Sequence, residues 1–114
     1  MSKQIRIRKA DGTWVVRAAG AVIAESANAL ELMENGYDGV IYFPRKDVAM
    51  AVLDETSHKT HCPHKGDASY FNVVGTNRTI ENGAWSYETP LEQAGDIASH
   101  IAFVAGEFVQ IEQL

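Results

Sequence analysis

The chain has 114 residues, of which 46% are hydrophobic, a formal net charge of −5 and a single cysteine. That length and apolar share suit one domain, residues 1–114, which can bury an ordinary core without staples. A lone cysteine excludes an internal disulfide, the acidic balance argues against a nucleic-acid partner, and no run of about 18 apolar residues offers a membrane span.

The chain opens with alternating charge from Met1 to Arg8 where a signal peptide would carry an apolar run, so a soluble, cytoplasmic protein is expected. Ile5 and Ile7, then Trp14 and Val16, alternate with polar residues around Asp11-Gly12, the chemistry of a tight hairpin. Short strands follow at Val22–Ala24, Ala29–Met33 and Val40–Phe43, punctuated by Asn35-Gly36 and stopped by Pro44. Val48, Met50 and Val52 alternate as a further strand would. Ser69–Val74 and Ala84–Tyr87 read as strands separated by a turn at Gly75-Thr76-Asn77, and the sequon Asn77-Arg78-Thr79 belongs to that turn.

A single α-helix is expected from about Pro90 to about His100. Thr89 is placed to cap it, Pro90 suits its first turn, Glu92 completes a capping box, and Leu91, Ala94, Ile97, Ala98 and Ile101 form its apolar stripe. Ile101–Val104 and Glu107–Ile111 then read as a closing hairpin around Ala105-Gly106. The fold class is mainly β: a compact antiparallel domain with one short helix.

One stretch concentrates chemistry. Residues 60–71 hold His61, Cys62, Pro63, His64, Lys65 and Gly66, with Tyr70 and Phe71 just beyond. His58, His61, Cys62 and His64 are competent metal ligands, but four ligands within seven residues do not tie two distant segments together as zinc sites do. A hydrolytic site would instead use His58, His61 and His64 and leave a coordination position for water. Cys62 is a candidate nucleophile beside Lys65 and two imidazoles, with Asp67 and Glu88 as candidate orienting carboxylates, although a lone cysteine is more often a small buried hydrophobe. A third reading takes Pro63–Gly66 as a rigid turn presenting Lys65 to an anion. No phosphate-cradling glycine loop is present, so no cofactor is expected. The aromatics Trp14, Tyr42, Phe43, Tyr70, Phe71, Trp85, Tyr87 and Phe103 are too many for one small core, so some are expected to line a cleft, the alternative being one core face with amphipathic edges elsewhere.

The segments Tyr42–Val48, Thr60–Gly66 with Tyr70, Ala84–Tyr87 with Pro90, and Ala102-Phe103 resemble the bacterial family of domains of unknown function designated DUF427, across nearly the whole chain. The resemblance implies a β-tent-like fold similar to Mss-four-like zinc proteins and methionine sulfoxide reductase B-like domains. The paired Cys-x-x-Cys zinc ligands of many such proteins are missing here, and so is the Gly-Ser element with paired aspartates of nucleotidyltransferases. Within the family pattern, Arg45, Asp47, Thr60, Lys65, Tyr70, Trp85 and Tyr87 are candidate ligand-binding positions and Cys62 the candidate catalytic one. The expected function is a domain binding a small anionic or polar ligand near Cys62 and Lys65. The competing expectation is a homodimeric interaction module pairing through an edge strand.

Overall fold

A computed structural model describes residues 4–114; the first three positions of the charge-alternating opening, Met1–Lys3, lie outside the described residues. Among the described residues, ten strands form the frame: β1 (Ile5–Lys9), β2 (Trp14–Ala18), β3 (Ala21–Ser26), β4 (Leu30–Glu34), β5 (Val40–Tyr42), β6 (Leu53–Cys62), β7 (Gly66–Val74), β8 (Thr79–Ser86), β9 (Ala102–Phe103) and β10 (Val109–Gln113). All pairings are antiparallel, in three sheets ordered β1-β4-β5, β10-β2-β3 and β6-β7-β8-β9. The expected mainly antiparallel β architecture is present. Among the described residues, no helix is long and apolar enough to cross a membrane.

Two unlike hydrophobic clusters explain the topology. The first gathers Val16, Ala18, Ile23, Phe43, Leu53, Phe71, Val73, Ala84, Ile101 and Phe103, among others. The second holds Leu32, Tyr42, Ala68, Tyr87, Ala94, Ile97 and Ala102, with Cys62, Tyr70 and Trp85 packed on its margin. Strands β5, β8 and β9 form the wall between them. Ile41 and Phe43 face one cluster while Tyr42 faces the other, and Phe103 and Ala102 divide in the same way. That is why Val40–Phe43 reads as an unbroken apolar run: both of its faces are covered. A bridge between Phe43 and Ile101, with backbone bonds of 2.8 and 2.9 Å, joins two of the sheets across this wall.

The opening hairpin is not formed. β1 pairs with β4, and β2 pairs with β3 and β10. Asp11-Gly12 does turn the chain, with Gly12 at φ 76°, but it sends the chain from one sheet to another. The reason is packing: Ile5 and Ile7 lie against the second cluster, whereas Val16 and Ala18 belong to the first. The closing hairpin fails likewise, since β9 joins β8 and β10 joins β2, leaving only a local Gly106–Val109 bridge.

Two further local expectations change. Residues 48–52 form no strand; single 3₁₀ turns at Arg45–Asp47 and Met50–Val52 replace it, and only Val48 keeps a bridge, to Ala24. The helical segment is where it was expected but is shorter and tighter. It is a 3₁₀ stretch at Glu92–Ile97, kinked at Ala94 (φ −116°, ψ 17°), with no side-chain cap. Gly95 disfavours a continuous α-helix, and burying only Ala94 and Ile97 gives little reward for extending one.

β6 escaped the sequence reading altogether because its ten residues are nearly all polar. It is the outer strand of its sheet, and its register slips between Glu55 and Lys59. A bulge plus charged side chains blunts such an edge against pairing with another chain.

Candidate functional site: an aromatic cleft around an ion pair

Thr60 pairs with Ala68, Cys62 with Gly66 and Tyr70 with Trp85 across β6, β7 and β8. Two-residue alternation therefore places Thr60, Cys62, Ala68, Tyr70, Trp85 and Tyr87 on one face of that sheet, turned toward the second cluster. Pro63–Lys65 make the turn between β6 and β7, closed by Lys65 N–H donating to the Cys62 carbonyl at 3.3 Å, with Gly66 at φ 111°. The turn is present as expected, but it carries the Lys65 side chain inward onto Glu34. The start of the 3₁₀ stretch and the residue before it clamp the turn from outside: Leu91 N–H donates to the Lys65 carbonyl at 2.9 Å and Gln93 Nε2 to the His64 carbonyl at 2.7 Å.

The turn delivers Lys65 into a hollow of about 230 Å³ walled by Tyr42, Tyr70, Trp85 and Tyr87, with Leu32, Val40 and Val104 completing it. Within it Lys65 Nζ meets Glu34 Oε1 at 2.5 Å, and the two side chains are only 13% and 14% exposed. Trp85 Nε1 donates to the Tyr42 hydroxyl at 3.2 Å, the two rings meeting edge to face with centroids 6.3 Å apart. Tyr70 shares a 3.0 Å hydrogen bond with Thr60 and meets the His58 ring edge-on, with centroids 4.6 Å apart.

Burial drives the electrostatics. It pushes the Tyr42 hydroxyl well above its ordinary value, against a smaller lowering by the bond from Trp85. Burial also raises Tyr87, which the neighbouring Lys65 partly opposes. For Lys65, burial alone would lower the pKa, but the hydrogen bond to Glu34, with the negative forms of Tyr87 and Cys62 nearby, outweighs it and the net shift is upward. Lys65 is thus a charged ammonium already matched by a carboxylate.

Of the residues singled out from sequence, Lys65, Tyr70, Trp85 and Tyr87 converge on this hollow, and Thr60 supports Tyr70. Cys62 packs on the margin of the same cluster, half-buried, outside the cleft lining. Arg45 and Asp47 do not join them. Arg45 bonds Glu88 at 2.6 Å and the Ser99 carbonyl at 3.2 Å, with its guanidinium 5.9 Å from the centre of the Phe71 ring in the other cluster. Ser86 also donates to Glu88 in a short contact. Asp47 accepts from Ser26 Oγ at 2.6 Å, a turn-stabilising role.

The histidines scatter too. His61 Nδ1 lies 2.7 Å from Asp67, on the sheet face opposite Cys62, so it is not placed to act as that thiol's base. Among the described residues, no three His, Cys, Asp or Glu side chains group closely enough to hold a metal ion. Glu34 was missed from sequence because its partner is 31 positions away and no local pattern signals the pairing.

The family model for the domain of unknown function DUF427 matches residues 6–113 of the chain. No curated protein matches the chain.

Proposed function

The chain belongs to the DUF427 family, and we propose that it binds a small polar ligand in the aromatic cleft, held by Lys65 and Glu34 together. The carrying observation is the ion pair itself, 2.5 Å long, about six-sevenths buried and set between aromatic rings. Such a pair contributes little stability, because desolvation offsets most of its attraction and apolar residues of the same volume would serve as well. A fold that keeps one at the floor of a hollow gains a donor and an acceptor side by side.

That arrangement favours a neutral or zwitterionic ligand carrying both a donor and an acceptor. A simple anion would have to compete with Glu34 for Lys65, and Arg45, the other expected anchor, is paired with Glu88 and is not part of the cleft lining. The volume equals about seven or eight waters at roughly 30 Å³ each, room for a single small ring or a short chain. Cys62, packed against the same cluster but outside the cleft lining, has no part in this reading.

The test is a screen of neutral and zwitterionic compounds by thermal midpoint, read alongside Trp85 emission in a Trp14→Phe background. A ligand at about 100 times its Kd adds about 2.7 kcal/mol, a rise of several degrees. Such a hit should quench Trp85 and lose its shift in Tyr70→Ala. Hits whose shifts survive Tyr70→Ala and leave Trp85 emission unchanged would overturn the reading.

A further inference from the structure

A second hollow, of about 630 Å³, is built by three turns on other strands and includes Arg17, Ala19, Gly20, Arg78, Glu107 and Phe108 in its lining. The turns interlock. Ala19 N–H donates to the Phe108 carbonyl at 3.3 Å, Gly75 N–H donates to the Arg78 carbonyl at 2.8 Å, and a β-carbon added at Gly75 would stand 2.3 Å from that of Ala19. Ala19 (φ 50°) and Gly20 (φ 84°) are both left-handed, so the β2–β3 turn is tight and fixed.

Charge sets this place apart. Lys65 and Arg45 each hold a carboxylate, but Arg78 makes none of the ion pairs found among the described residues. Its guanidinium instead lies 3.5 Å from the centre of the Phe108 ring, a direct stack, on an exposed stretch of chain. Arg17 shares the lining, its Nε 3.4 Å from Glu112 Oε1 in a loose pair whose two side chains are each 52% exposed, so that a ligand carboxylate competes there with a solvated partner. Glu107 is the acidic group in the lining.

We propose that this hollow binds a planar organic anion, a flat ring bearing one carboxylate. A guanidinium is flat, weakly hydrated and stacks on rings, so a second ring on the outer face of Arg78 extends the Phe108–Arg78 stack while Arg17 receives the carboxylate. Glu107 disfavours a doubly charged ligand. Both arginines are solvent-exposed, so the affinity is modest, in about the millimolar range.

The full chain, titrated with benzoate and followed by backbone amide shifts, tests this. Saturable shifts should centre on Ala19, Gly20, Arg78 and Phe108. Cyclohexanecarboxylate, equal in charge but not flat, and inorganic phosphate should each bind several-fold more weakly, and Arg78→Gln should weaken benzoate by on the order of tenfold. Arg78→Lys keeps the charge without the plane and should recover only part of that loss; the unchanged spectrum of each variant away from the hollow checks its fold. Equal binding of all three anions, full recovery by Arg78→Lys, shifts centred on Lys65 and Trp85, or an unaffected Arg78→Gln would each overturn the proposal.

Discussion

The two hollows of this small β protein treat positive charge in opposite ways. In the aromatic cleft Lys65 is 13% exposed and matched at 2.5 Å by Glu34; at the three-turn hollow Arg78 sits on an exposed loop and rests on a ring. Burial accounts for the difference. A cation removed from water must find a counter-charge, whereas one left in water can remain unmatched and available. A basic residue therefore becomes an anion anchor by what it lacks nearby, and sequence proximity to a thiol or an imidazole says little about that.

The sharpest way to break this comparison is Lys65→Met. It strands Glu34 in the cleft, and removing one partner of such a pair should cost about 3 kcal/mol in chemical denaturation. Adding Glu34→Leu to Lys65→Met should return most of that loss, since the pair as a whole stabilises little. Arg78→Gln, by contrast, should change stability by no more than about 0.5 kcal/mol. Equal costs at the two sites would mean that burial does not separate them.

Next in size is Gly75→Ala. Its β-carbon would be driven to 2.3 Å from that of Ala19, an overlap that the turn relieves only by moving, at about 1–3 kcal/mol. Because Ala19 and Phe108 are bonded through the backbone, the benzoate shifts proposed for the three-turn hollow should shrink while the cleft's ligand shifts stay unchanged.

These contrasts also show where the sequence was legible. Alternation and turn residues disclosed the strands of β2, β4, β7 and β8 and the Pro63–Gly66 turn, because period-two patterns and positive-φ glycines are local properties. Pairing was not legible: Asp11-Gly12 announces a turn, but whether Ile5 and Trp14 share a sheet depends on which cluster each buries into. β6 stayed hidden because an outer strand needs few apolar residues, and the 3₁₀ stretch at Glu92–Ile97 was read as α-helical because capping chemistry does not reveal how little apolar surface a segment will bury. At the site, Tyr70, Trp85 and Tyr87 were legible as rings too many for one core. The phenylalanines Phe43, Phe71 and Phe103 went to the first cluster, while the tyrosines, with hydroxyls to satisfy, lined the cleft. Glu34, which pairs with Lys65 in the cleft, was invisible, and Arg45 lies elsewhere because Arg45–Asp47 form a 3₁₀ turn after Pro44 that directs the side chain to Glu88 and Ser99, which adjacency in a motif does not disclose.

A smaller effect, confined to alkaline solution, follows from the raised pKa values of Tyr42, Tyr87 and Lys65. Each group holds its proton more tightly folded than unfolded, so its contribution is intact below the unfolded values of about 10 to 10.5 and declines as pH climbs toward the folded ones. Denaturation midpoints should be flat from neutrality to about pH 9.5 and fall above it. Tyr42→Phe should cost about 1 kcal/mol at pH 7, by leaving the Trp85 N–H without its acceptor, yet show a shallower alkaline decline. An unchanged slope would show that Tyr42 does not contribute to the alkaline decline.

Ala19→Gly gives the smallest effect and bears on the other hollow. Ala19 holds φ at 50°, where a β-carbon costs about 1 kcal/mol, but glycine loses more chain freedom on folding and gives back part of the gain. The net should be a stabilisation of about 0.5 kcal/mol, a rise of roughly 2 °C in the thermal midpoint. The same change removes the atom that Gly75 crowds, so it should also restore stability to Gly75→Ala beyond the sum of the two single effects, a coupling expected only between residues in contact. Destabilisation by Ala19→Gly would show instead that the Ala19 methyl, wedged against Gly75, braces the three turns more than its left-handed backbone strains them.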